Sequence, residues 1–98
     1  MHIVISWDIS ATQPRWGVIN QQLVDQIKVY SWFRPLNTFY ILKINGELDR
    51  STIRDSLNAI ARASSENLRI VISPAMLGGT YDGYLEPDDW AQVNERTT

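Results

Sequence analysis

Asp8 is the residue whose type and place most readily suggest chemistry. It stands in the run Trp7-Asp8-Ile9-Ser10, closing an opening segment, MHIVISWDIS, that alternates like a half-buried strand. A carboxylate at the carboxyl end of a buried first strand is a common place for function in open sheets. Ser6 and Ser10 lie two residues to either side of Asp8, on the same strand face, with hydroxyls suited to orienting a water or a phosphate. Further along, Arg34 could offset developing negative charge, and the Thr38 hydroxyl could orient a ligand. Asp8, Arg34 and Thr38 are the catalytic candidates, Asp8 the metal candidate, and Ser6, Ser10 and Arg34 the substrate-binding candidates. The set lacks a convincing general base. A second reading of Asp8 therefore stays open, as a turn carboxylate capping the helix that follows.

Composition narrows the chemistry. The 98 residues include no cysteine and one histidine, His2. Disulfides, thiolate nucleophiles, Cys-based zinc sites and histidine triads are thereby excluded. Any metal must be held by oxygen, which points to Mg²⁺ or Mn²⁺. The net charge of −2 is unevenly spread. Residues 1–73 carry eight Lys/Arg against six Asp/Glu, whereas residues 74–98 carry Arg96 against Asp82, Glu86, Asp88, Asp89 and Glu95. A mildly basic body with an acidic extension lacks the basic stripe of a typical nucleic-acid binder, and the extension suits a basic surface on the chain or on a protein partner. No apolar run approaches the roughly 20 residues of a membrane span, and the first residues do not read as a signal peptide. A cytoplasmic location without membrane association is the expectation.

The surrounding pattern shows what must hold these residues. Trp16, Ile19, Leu23 and Ile27 recur at helical spacing, predicting a helix over about residues 14–28 with Thr12 as its cap. Aromatic and β-branched residues over 29–34 and 38–44 read as two antiparallel strands joined by a turn at 35–37, because proline interrupts a central ladder. Asp49 then reads as the cap of a second helix whose buried stripe is Ile53, Leu57, Ile60 and Ala61. Leu68, Ile70 and Ile72 mark a fourth strand that Pro74 stops. Beyond it, residues 80–85 suggest a short edge strand and Pro87-Asp88-Asp89-Trp90 the first turn of a short helix, with Trp90 and Val93 burying little.

The order strand, helix, strand, strand, helix, strand predicts one α+β domain over residues 1–98, with a core over 1–73 and an acidic extension over 74–98. Its expected form is a ferredoxin-like βαββαβ fold with a four-stranded antiparallel sheet of order 4-1-3-2 and both helices on one face. Val4, Phe39, Ile41 and Val71 fall on the opposite face and are too apolar to leave in water. Dimerisation through that face, with the extension crossing between chains, is the expected cover.

These residues resemble a known family. The step Trp7-Asp8-Ile9-Ser10 at the end of the first strand is similar to that of the Cas2-like proteins, including the small SinR-type members. The family's second block, Arg-x-Gln-x-Ser-Val-Phe, has a counterpart in Arg34-Pro35-Leu36-Asn37-Thr38-Phe39-Tyr40, where Leu36 stands in place of the Gln. The resemblance covers roughly residues 1–73. It implies a homodimer with two copies of Asp8 facing across a cleft, binding Mg²⁺ or Mn²⁺ and cleaving RNA or DNA in some members, and a nuclease-silent scaffold or adaptor in others.

Two functions thus stand side by side: a Cas2-like dimer that binds or cuts nucleic acid through Asp8, and an antitoxin- or immunity-type protein that captures a basic partner with its acidic extension. Phe39, Ile41, Tyr81, Tyr84 and Trp90 are the candidates for the dimer or partner interface. Arg50, Arg54 and Arg62 read as the solvated face of the second helix, and Tyr30, Trp32, Phe39 and Tyr40 as core or interface more than as a base-stacking platform.

Overall fold

The computed structural model describes residues 1–37, 39–73 and 83–97. Its elements are β1 (His2–Ser10), α1 (Arg15–Ile27), β2 (Ser31–Leu36), β3 (Phe39–Lys43), α2 (Glu47–Ala63), β4 (Asn67–Ser73) and α3 (Pro87–Thr97). The four strands form one antiparallel sheet in the order β2-β3-β1-β4. This is the ferredoxin-like α+β arrangement, with a third helix added.

Alternation along β1 organises the core. Ile3, Ile5, Trp7 and Ile9 project from one face and are all buried. They meet Ile19, Leu23 and Ile27 from α1, Ile53 and Leu57 from α2, and Tyr40, Leu42 and Ile44 from β3 and the residue after it. Each such side chain contributes about 1.5–3 kcal/mol through its burial. Leu68, Ile70 and Ile72 of β4 are half-buried against the same cluster.

The helix starts differ from the sequence expectation. At α1 the Thr12 contribution is its carbonyl, which accepts from the Trp16 N–H at 3.0 Å, while Gln13 Oε1 accepts from the Gly17 N–H at 3.2 Å. With Pro14 at the cap position, Gly17 carries the third helical amide, which the Gln13 side chain reaches; a cap at Thr12 would have served residue 15, since Pro14 has no N–H. At α2 the helix begins two residues before Asp49, with Gly46 preceding it. Asp49 Oδ2 instead accepts from the Asn45 N–H at 2.9 Å, reaching backwards from the first turn in the manner of a capping box.

β2 runs through Pro35 to Leu36, where a turn at 35–37 was expected. The pairing register shifts between Phe33 and Leu36, which fits one extra residue in this edge strand and accommodates a proline without an N–H. Residues 80–82 of the expected extra strand lie outside the described residues, and residues 83–86 are not in a strand.

The largest correction concerns α3. Val93 is fully buried, contrary to the expectation that this helix would bury little, and Thr97 one turn later is buried too. The two form a stripe at i, i+4, and α3 lies on the sheet face opposite α1 and α2, against β2 and β3. Arg96 places its guanidinium carbon 5.7 Å from the centre of the Phe33 ring. Val4 and Ile41, paired across β1 and β3, are buried on this second face, which the chain's own helix covers in part.

Candidate functional site

The second sheet face is divided in two. α3 occupies the side of β2 and β3. The other side is formed by the far half of β1 and by β4, where Ser6, Asp8 and Ser10 alternate with the buried row of Trp7 and Ile9. Register places Val71 opposite Ser6, Arg69 opposite Asp8 and Asn67 opposite Ser10. Asp8, Ser10, Asn67, Arg69 and Val71 are all exposed, Val71 to 66%.

Asp8 therefore sits within a strand, two residues short of its end, and does not cap α1. Arg69 stands directly opposite it. Side chains so paired on antiparallel strands have Cβ atoms about 4.5–5.5 Å apart. Among the described residues neither the Asp8 nor the Arg69 side chain has a hydrogen bond or an ion pair; the salt bridges are Arg15–Glu66, Lys28–Asp25, Arg50–Glu47 and Arg54–Asp55. Two opposite charges are thus left side by side and uncommitted.

The other candidates distribute unevenly. Ser6 and Ser10 share the face of Asp8. Arg34 is exposed on β2, separated from β1 by β3, so one chain does not bring it beside Asp8. Thr38 and Tyr81 lie outside the described residues. Phe39 is half-buried and pairs with Ser6 across β3 and β1, at the border between the covered and uncovered sides. Ile41 is fully buried within its own chain. Tyr84 is 95% exposed, and Trp90 is half-buried with its ring 3.9 Å from the position a Cβ would take on Gly83.

Arg69 is the residue that sequence reasoning passed over. Its signal was an odd-numbered place in the run Leu68-Arg69-Ile70-Val71-Ile72, opposite in face to the core residues. Only the register makes it Asp8's neighbour.

Among the described residues no three His, Cys, Asp or Glu side chains gather to hold an ion. A groove of about 480 Å³ between α1 and α2, lined by Arg15, Gln22, Gln26 and Ala63 among others, lies on the opposite side of the sheet from Asp8. Among the described residues no helix is long and apolar enough to cross a membrane. Compared with models of known protein families and with curated proteins, the chain matches none.

Proposed function

We propose that this chain is a Cas2-like homodimeric scaffold or interaction module of nucleic-acid-related, cytoplasmic function, working through the β1–β4 half of its sheet. The observation that carries this reading is the uncovered strip of Ser6, Asp8, Ser10, Asn67 and Arg69, whose two charges have no partner among the described residues. A carboxylate and a guanidinium side by side, bordered by short hydroxyl and amide groups, suit contact with a second copy of the chain, and the dimer so formed is the unit that would meet nucleic acid.

Among the described residues of one chain no second carboxylate gathers with Asp8, whereas Mg²⁺ takes an octahedral shell of oxygens. A Mg²⁺ or Mn²⁺ centre on Asp8 would need a second chain's carboxylate.

The test is Mn²⁺ calorimetry on wild type and Asp8→Ala, with light scattering for oligomeric state and anisotropy of labelled RNA and DNA. The scaffold reading expects a dimer that binds oligonucleotide in salt-sensitive fashion and leaves it intact. One ion per dimer, lost in Asp8→Ala together with strand cleavage, would replace it with a metal-dependent nuclease. A monomer binding no nucleic acid would overturn it.

α3 supports a second reading, an antitoxin- or immunity-type protein. Glu86, Asp88 and Glu95 are exposed on and just before a helix that Val93 and Thr97 anchor to the sheet, so the acids are carried on a docked element. Such a surface suits a basic protein.

A further inference from the structure

We infer that Asp8 and Arg69 form a reciprocal charge clamp between two copies of this chain, Asp8 of each copy meeting Arg69 of the other. The inference rests on the homodimeric reading above and names the contact that would hold the dimer.

Three observations lead to it. Asp8 and Arg69 are directly opposed on β1 and β4, both are exposed, and neither side chain is bonded among the described residues. Val71 lies two residues from Arg69 on the same face at 66% exposure, an apolar side chain without cover. Among the described residues α3 packs against β2 and β3, and Asp8, Arg69 and Val71 stay exposed beside it, where a second molecule can seat.

The symmetry then selects the occupant. In a two-fold dimer the same patch faces itself, and every contact is made twice. A patch of one sign would repel its own copy. A patch holding one positive and one negative charge side by side is complementary to itself after a half-turn, which brings each carboxylate to the other copy's guanidinium. The same half-turn lays each Val71 over the other copy's Ser6 and each Ser10 over the other copy's Asn67. The net charge of −2 on each chain opposes association only weakly. A second copy therefore fits this strip without any further requirement. The arrangement differs from two facing copies of Asp8, which would need a cation between them.

Sedimentation velocity on the full chain, over a concentration series in EDTA, tests the clamp. Asp8→Arg gives a chain with two positive charges on the strip, and Arg69→Asp one with two negative charges. Each variant alone is expected to dimerise at least about tenfold more weakly than wild type, since like charges then face each other twice. An equimolar mixture of the two is expected to recover the dimer as a mixed pair, a result that repair of a contact within one chain cannot produce. Circular dichroism checks folding. Should a reversal fail to fold, the milder Asp8→Asn and Arg69→Gln variants are each expected to weaken the dimer in the same direction. Val71→Lys, which leaves both charges in place, is expected to weaken it as well.

A wild-type dimer whose affinity is unchanged in both reversal variants, or a mixture that stays monomeric, overturns the clamp and leaves the homodimeric reading standing. A dimer that falls apart on adding EDTA points to the ion-bridged alternative and overturns it too. A wild type that is monomeric throughout removes both.

Discussion

The Trp7 indole stacks on the Tyr40 ring, with centroids 4.5 Å apart and planes inclined by 27°. Trp32 adds a tilted ring to the other side of the assembly at 5.8 Å from Tyr40. The Trp7 Nε1–H donates to Asn20 Oδ1 at 3.0 Å, tying α1 to the same point. One side chain on β1 thus links β1, β3 and the first helix. Trp7→Ala is expected to cost about 3–5 kcal/mol in urea denaturation. Asn20→Ala should cost about 1–3 kcal/mol by leaving the indole N–H without its acceptor.

Val93 holds α3 to the sheet, and its substitution separates the helix from the rest of the fold. Val93→Ala should lower stability by about 1–3 kcal/mol through lost methyl burial and the gap beneath it. Val93→Asp should undock the helix and expose Val4 and Ile41. Binding of a hydrophobic dye, measured with far-UV circular dichroism, would show a molecule that keeps its strands and gains apolar surface.

At concentrations too low for a dimer, Asp8→Ala should leave the stability of the single chain within about 0.5 kcal/mol of wild type, because the carboxylate is exposed and its side chain has no bond among the described residues. Thermal melts of the two proteins check this. Near-equal melting temperatures make any loss of binding by the variant a property of the surface and not of folding.

Acid should weaken the fold in a narrow window. A hydrogen bond from Gln21, and then one from Lys28, holds the Asp25 carboxyl below its usual value, and a hydrogen bond from Arg50 does the same for Glu47. A depressed folded pKa gives stability that is present above the unfolded pKa and lost as pH falls through the folded one. The melting temperature should therefore hold from pH 7 to about 5 and decline below about pH 4. Both carboxylates are solvent-exposed, so the decline from these two is small. Asp25→Asn and Glu47→Gln together should flatten it, as melts across pH 3–6 would record.

Reversing Glu86, Asp88 and Glu95 to lysine tests the partner-capturing role of α3 without removing the helix that covers Ile41. Capture of a basic protein such as a polylysine-coated bead should fall sharply if these acids form the surface. Oligonucleotide binding should rise as negative charge near the sheet is lost. Asp88 and Asp89 lie in the first turn, where they complement the helix dipole, so the Asp88 reversal should also cost about 0.3–1 kcal/mol in stability.

Much of the architecture was legible in the sequence because burial leaves a period. The alternation of Ile3, Ile5 and Trp7, and the three-and-four spacing of Ile19, Leu23 and Ile27, name both the element and its inward face. Strand order followed from connection rules. Asp49 was misplaced as a cap because a carboxylate three residues into a helix and one at its cap look alike in sequence. α3 was underrated because Val93 and Thr97 are only two anchors among polar residues. The strands they dock against, β2 and β3, lie far back in the chain. The site was legible only at Asp8 and its flanking serines. Arg69 gained its meaning from a register that local pattern does not specify, and Arg34, which shares a turn motif with Thr38 in the sequence, lies two strands from Asp8.

The shifted pairing around Pro35 has a consequence for crowding. A flat sheet has two open margins, and identical molecules joining margin to margin through both of them extend into a fibre. Here the β2 margin lacks an N–H at Pro35 and bends where Phe33 gives way to Leu36, so it is a poor template for another strand. The β4 margin pairs regularly with β1 across all seven of its residues. With the β2 margin a poor template, joining through both margins in turn is disfavoured, and with it growth into a fibre.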